Sequence, residues 1–403
     1  MIGVLTYLFL KRKGCRIYSV QNAQSLTKSE TAPSASEAIN ENTISSLPLF
    51  ATSTYVRIEP RYSNRHMLWS TEPQEVPPQY LYSIPKAIVS NLGVISTIDG
   101  SIIAESAEPF TTKNQALDGF IEIAKNKYVP KGSKKIELFH GKYLLLTNKY
   151  AGNYGHFILE CLPNARLAKD YTLTRNIKIV IHKTANITLR KSYFEALALT
   201  GIHEDQIVEF GGEGNIGLFE ELLYPSPLTS HPRWKSIQAV NFCTHLARDV
   251  RALGEPSSTE ISTSGYLYVS RGADYKRRPA NEPEVIEFLR SHDFTIIYPE
   301  EMSVKEQILT FSQARIVVGI LGAAMTNIAF SPQGIHVIML TPSNVSGYFF
   351  WDLASLKKQS YYAIFCQISN NEKDYGNAEF YVNINELKEA LSIALHSPEI
   401  QTH

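Results

Sequence analysis

Cysteine is scarce. The 403 residues hold four, at Cys15, Cys161, Cys243 and Cys366, with no CxxC pair and no metal-ligand spacing. That excludes a disulfide framework and a cysteine zinc module, and reduced thiols in a cytosolic setting are expected. Net charge is lacking too: Lys+Arg and Asp+Glu are both 39. A broad basic face for nucleic acid is therefore not expected, and no nucleic-acid module is recognisable. No Asp-x-Asp occurs, so the usual carboxylate pair that holds a metal against a diphosphate is missing. GxSxG, HExxH and Walker signatures are absent as well. The apolar start, Met1 to Leu10, ends at Lys11-Arg12-Lys13. It is too short to span a bilayer, and its charge lies on the wrong side for a signal peptide. The expected location is cytoplasmic, with a peripheral role on the inner membrane face left open. The sequence carries no signature of oligomeric state.

What is present describes an ordinary globular chain. It is 44% hydrophobic and 19% charged, which fits a soluble protein, and its length allows two full cores. Residues 22–48 are rich in Ser, Thr, Asn, Ala and Glu, so 1–50 reads as a flexible N-terminal arm. Short apolar runs broken by Pro and Gly fill 55–103, and Leu117 to Lys127 reads as a helix. Ile136–Phe139 and Lys142–Leu146 read as a hairpin around His140-Gly141. A short helix from Asn153 closed by Pro163, a strand Ile177–Ile181, a helix Ile187–Thr200 with Gly201 as C-cap, and strands Ile207–Phe210 and Glu221–Tyr224 follow. A long helix is expected over Trp234–Leu253.

The polar stretch Gly254–Gly265 then reads as the interdomain linker. Beyond it come the strand Tyr266–Ser270, a helix from Asn281 to Arg290, the strand Phe294–Ile297, and a helix capped by Ser303 with Glu306 in a capping box. The strands Ile316–Val318 and His336–Leu340 complete a regular βα alternation. The fold class is α/β, with two Rossmann-like lobes and a cleft between them. Residues 51–255 form the first lobe, 256–380 the second, and 381–403 a C-terminal helix and tail.

Three constellations carry chemistry, and one imitates it. Gly212-Glu-Gly-Asn-Ile-Gly217 matches GxGxxG literally, but no useful helix follows before Pro225, so it reads as glycines in a turn and not as a dinucleotide site. Gly319-Ile-Leu-Gly-Ala-Ala-Met-Thr-Asn-Ile-Ala-Phe330 follows an apolar strand and precedes a helix-compatible run. Such a turn is either a phosphate seat at a helix N-terminus or a tight turn for packing. Asn327 and Thr326 can add side-chain hydrogen bonds. Arg271 at a strand end, with Lys276-Arg277-Arg278 close behind, is either a phosphate clamp or a solvated basic loop. His156 and Glu160 share a helix face. They can form a base with an orienting carboxylate or half a metal site. A buried structural hydrogen bond is the commoner meaning of that spacing.

Four blocks together resemble glycosyltransferase family 61, whose members include bacterial capsular-polysaccharide enzymes. They are Asn153-Tyr-Gly-His156-Phe-Ile-Leu-Glu160-Cys-Leu-Pro163, Tyr268-Val-Ser-Arg271 with Arg277-Arg278-Pro-Ala-Asn281-Glu282, Pro299-Glu-Glu-Met-Ser303 with Glu306-Gln307, and Ala314 through Phe330. The resemblance covers roughly residues 140 to 365. It implies a GT-B architecture and an inverting, metal-independent transfer from a nucleoside-diphosphate sugar, UDP-sugar first, to a glycan hydroxyl in cell-surface or capsular polysaccharide synthesis. No cofactor is implied beyond the donor. His156 is then the base, oriented by Glu160. Arg271 and Arg277, with Arg278 as second choice, hold the diphosphate. Gly322, Ala323 and Ala324 assist through backbone N–H groups, Asn327 lies on the donor side, and Glu300 or Glu301 bonds the ribose. One departure stands out. The family commonly has His in the glycine turn, where this chain has Leu321. That leaves a second expectation, a non-catalytic member that binds glycan or nucleotide.

Overall fold

A computed structural model describes residues 20–21, 44–65, 69–90, 93–97, 102–107, 120–124, 127–130, 135–167, 177–212, 214–231, 233–254, 264–272, 277–345, 348–368 and 378–398. It is a mixed α/β structure with several sheets. Two compact units divide it, and the chain crosses between them more than once. The first holds 1–53 and 77–230; the second holds 54–76 and 231–403. The boundary therefore lies at Ser230/His231 rather than in 254–265, and the long helix belongs to the second unit.

In the first unit a nine-stranded sheet carries the core. Its parallel part has the order Asn215–Pro225, Lys135–Leu146, Lys178–His182, Ile207–Phe210. The chain moves outward from Lys135–Leu146 to Ile207–Phe210 and returns on its other side, so the order reverses at Lys135–Leu146. In open α/β sheets such a reversal opens a crevice at the carboxyl ends of the strands. Ile84, Val89, Val180, Phe210, Phe219 and Leu222 fill one face.

The expected hairpin at 136–146 is instead one strand. Both halves pair in parallel with Asn215–Pro225, and the register shifts between Phe139 and Lys142. Gly141, at φ +96°, supplies the positive φ there. The expected helix over 117–127 is also corrected, because Phe120–Ala124 and Lys127–Pro130 form an antiparallel pair. Phe-Ile-Glu-Ile is β-branched and aromatic, and it follows its own propensity. Of the expected arm, Ser45–Phe50 pairs antiparallel with Gln79–Ser90 and Val20–Gln21 pairs with Ile102–Ile103. The rest of that expectation lies outside the described residues.

The second unit is built on five parallel strands in the order Thr295–Ile297, Tyr266–Val269, Ile316–Ile320, His336–Pro342, Ser360–Ile368. Numbered along the chain, this is the 2-1-3-4-5 order of a doubly wound sheet. The central strands are mostly apolar, as expected of strands buried on both faces. Every residue of Ile316–Ile320 and of His336–Pro342 is buried. The C-terminal helix Ile384–Leu395 is no separate tail, since Leu387, Ala390, Leu391 and Ala394 are part of this core. The long helix runs from Ile237 to Ala252 with Ser236 as its N-cap, and Trp234–Lys235 is a short strand ahead of it. The Ser303–Glu306 capping box forms, with Ser303 N–H donating to Glu306 Oε2 at 2.8 Å. Among the described residues no helix is long and apolar enough to cross a membrane.

Candidate functional site

In the second unit the order reverses between Tyr266–Val269 and Ile316–Ile320. Val269 lies beside Gly319 across this pair. The two strands therefore deliver Ser270-Arg271 and Leu321-Gly322 to the same point of the carboxyl edge, where ligands bind in such sheets. Gly319 is needed for packing. A Cβ there would sit 2.1 Å from Met325 Sδ and 3.1 Å from Val269 Cβ. At Gly322 the neighbour is a side chain. The glycine backbone is extended (φ 174°), and a Cβ would meet the Arg271 guanidinium at 3.3 Å. The arginine thus lies flat against the glycine.

Arg277 reaches the same turn from its loop, and its Nη1 donates to the Leu321 carbonyl at 3.1 Å. It does so from a left-handed backbone (φ +62°), a conformation that a bulky residue adopts at some cost. Two of the three expected arginines therefore converge on the turn.

Arg278 does not. Its guanidinium pairs with Glu282 at 3.0 Å. Glu282 is buried and also accepts from Ser270 Oγ at 2.5 Å and Tyr268 Oη at 3.3 Å. Burial beside this carboxylate raises the Tyr268 phenol well above its ordinary pKa, so it stays a donor. One buried carboxylate thereby ties the strand end to the arginine loop. This is the physical content of the block Tyr268 to Glu282.

The run after Gly322 is a 3-10 helix, Ala323–Phe330, and no side chain caps its start. Ala323 and Ala324 form its half-buried first turn. Asn327 is not at the surface of the turn. It is fully buried and donates to Gln307 Oε1 at 2.7 Å. Gln307 in turn donates to the carbonyls of Pro299 and Met302, at 2.9 and 3.2 Å. This buried relay supports the turn that bears Glu300 and Glu301. The Glu300 carboxylate accepts from the Gly272 N–H, one residue after Arg271. Glu301 is exposed. Gln307 was not among the expected site residues. It lay in one of the four blocks of the resemblance, one residue after the capping glutamate, with no role attached to it.

The first unit holds the other pair. His156 Nδ1 and Glu160 Oε1 are 2.6 Å apart. Glu160 is 7% exposed, and its second oxygen accepts from Asn148 at 2.8 Å. The expected single helix is really three short pieces. Tyr154–His156 is α-helical, Phe157–Cys161 is a π turn and Leu162–Arg166 is 3-10, with Pro163 opening the last piece and not ending the first. π turns often mark functional positions. Asn153 caps the start by accepting from Gly155 N–H at 2.9 Å. Tyr150 stacks on the His156 ring at 5.0 Å. Tyr193, buried in the helix Ile187–Leu199, donates to the Ala151 carbonyl and stacks on Phe157. The loop 147–153 is thus held at several points and leaves the carboxyl end of Lys135–Leu146, where this sheet reverses.

A carboxylate on Nδ1 keeps the proton there and leaves Nε2 with its lone pair, as in a general base. The neighbouring Cys161 is fully buried, and its thiol is pushed well above the ordinary range by desolvation and by Glu160, so it is no nucleophile. No group of three or more metal-ligating side chains occurs among the described residues. Gly212-to-Gly217 runs into the strand Asn215–Pro225 and meets no helix.

No curated protein matches the chain. Residues 154–338, the stretch that holds His156, Glu160, all three arginines and the glycine turn, match the family model described as Glycosyltransferase 61. That match supports a place for this segment in glycosyltransferase family 61, and with it a transferase that uses a sugar donor and a glycan acceptor.

Proposed function

We propose that this protein is an inverting glycosyltransferase that moves a sugar from a nucleoside diphosphate, UDP-sugar first, to a glycan hydroxyl in cell-surface or capsular polysaccharide synthesis. In this reading each unit is one Rossmann-like lobe of a GT-B architecture, and the protein works in the cytoplasm or at the inner membrane face. The observation that carries it is the convergence of Arg271 and Arg277 on the Gly322 turn at the reversal point of a 2-1-3-4-5 sheet.

Inversion is a single displacement at the anomeric carbon. The acceptor oxygen forms the new bond, its proton goes to a base, and the bond to the diphosphate oxygen breaks. His156 Nε2 takes the proton while Glu160 stabilises the imidazolium that results. Arg271, Arg277 and the N–H groups of the first turn at Ala323-Ala324 stabilise the departing diphosphate, without help from a metal. Glu300 or Glu301 accepts from the ribose hydroxyls.

Leu321 favours a second reading. It places an apolar, half-buried side chain at the donor turn, and a non-catalytic member that binds glycan or nucleotide would tolerate it. Incubating the purified protein with a panel of nucleotide sugars and glycosides separates the two. The first reading predicts transfer or donor hydrolysis with at least one pair. Nucleotide binding with no turnover across the panel would favour the second.

A further inference from the structure

His182 ends the strand Lys178–His182, beside Phe210 in register, at the same carboxyl edge that issues the loop 147–153. Its Nε2 lies 3.3 Å from where a Cβ on Gly152 would stand. A side chain at 152 would press on the ring, which would have to give by a few tenths of an ångström. Gly152 adjoins Asn153, which caps the helix start leading to His156, and the same loop supplies Asn148 to Glu160 and Tyr150 to the His156 ring.

The imidazole is half-buried, but its Nδ1 is fully buried and has no hydrogen-bond partner among the described residues. A proton on that nitrogen would lack an acceptor, which is a costly state for a buried donor. The proton therefore belongs on Nε2, at the side of the ring that faces the loop. Burial also lowers the pKa of the ring, so it stays neutral and keeps this tautomer. The result is an N–H donor on the loop side of the ring, at the reversal edge of the sheet.

We propose that His182 is an acceptor-binding residue, donating from Nε2 to an oxygen of the glycan that is bound for attack beside His156. This rests on the transferase reading above. It adds a second imidazole to the site, one that holds the acceptor and does not take its proton.

The test uses the full chain with ring-labelled histidine, in the presence of UDP. The probes are methyl glycosides of glucose, galactose, mannose, xylose and N-acetylglucosamine. The His182 signal is assigned by its loss in His182→Gln. At least one glycoside should move that signal saturably. Its affinity should fall about 5- to 10-fold in His182→Ala, and less in His182→Gln, which retains an N–H donor. Gly152→Ala, which displaces the ring without deleting it, should also weaken the glycoside and leave UDP affinity unchanged. Failure of every glycoside to move the His182 signal would overturn the proposal. So would glycoside binding that is equal in wild type, Ala and Gln variants. UDP titration reads the parent hypothesis separately. UDP binding with a silent His182 sinks only this proposal, whereas absence of binding by UDP and by every other nucleoside diphosphate of the donor panel sinks the transferase reading.

Discussion

Glu160 faces two partners with its two oxygens, and that decides what His156 can do. With Asn148 on one oxygen and the imidazole Nδ1 on the other, the carboxylate is held in place and orients the ring. Replacing His156 with Ala should lower turnover on the order of 10²-fold or more while leaving UDP affinity intact. Steady-state kinetics with the active donor decides it, and near-normal turnover would remove His156 from the mechanism. At this scale the sequence was partly legible. A spacing of four marked His156 and Glu160, and arginines behind a strand end marked the turn. Arg278 and Asn327 carried the same kind of signal and turned out to work inward, on Glu282 and Gln307. Residue type gives no direction. A neighbouring buried carboxylate or amide decides which polar groups turn toward the turn and which turn into the core.

Among the elements, the glycine turn depends on the helix Val304–Phe311 through an amide. Gln307, on Val304–Phe311, holds both Asn327 behind the turn and the 299–302 segment that carries Glu300. Gln307→Ala should strand the Asn327 amide and the Pro299 carbonyl in a buried place. A loss of about 1–3 kcal/mol of stability is expected, with weakened nucleotide binding beside it. Urea melts and UDP titration of that variant check both, and an unchanged midpoint would contradict the relay. Helices and strands of the second sheet were legible because their apolar runs and caps are strong local signals. The strand Lys135–Leu146 was not. His-Gly in the middle of an apolar run is a turn signal locally, and only its partner strand Asn215–Pro225 makes it a bulge. The three-part turn around His156 has no local signature either.

For the whole molecule, the chain does not hand one contiguous stretch to each unit. Residues 54–76 belong to the second unit and are fastened there by buried charge. Arg57 meets Asp352 at 2.6 Å, and Lys235 meets the same carboxylate at 3.4 Å. A reading that walks along the sequence assumes contiguity, so the boundary was expected in the polar stretch after the long helix and not before it.

Lys357 gives the second unit a pH signature. It is buried, with Nζ donating to Thr244 Oγ1 at 2.8 Å. Desolvation holds its pKa down to about 8, against an opposing effect from Cys243. Below pH 8 both folded and unfolded chains carry the proton, and the burial penalty is fully present. Above pH 8 the unfolded chain binds the extra proton, so this contribution to stability rises with pH. The thiols of Cys243 and Cys366, pushed up to about 12 by burial, act oppositely above their ordinary 9.0. Lys357→Met should therefore stabilise most near pH 7, on the order of 3 kcal/mol, and its advantage should shrink by about 1 kcal/mol by pH 9. Urea melts of both proteins at the two pH values read this. A difference that does not change with pH would contradict it.

The central claim is that the turn at Gly322, with Arg271 laid against it, seats a nucleoside diphosphate. The most direct measurement is calorimetric titration of UDP into the wild type and Arg271→Ala without added metal. The account predicts saturable binding by the wild type and a loss of about 10- to 100-fold in the variant, the worth of a charge-assisted contact to phosphate. Equal affinity in the two proteins, or no binding to the wild type, would contradict it.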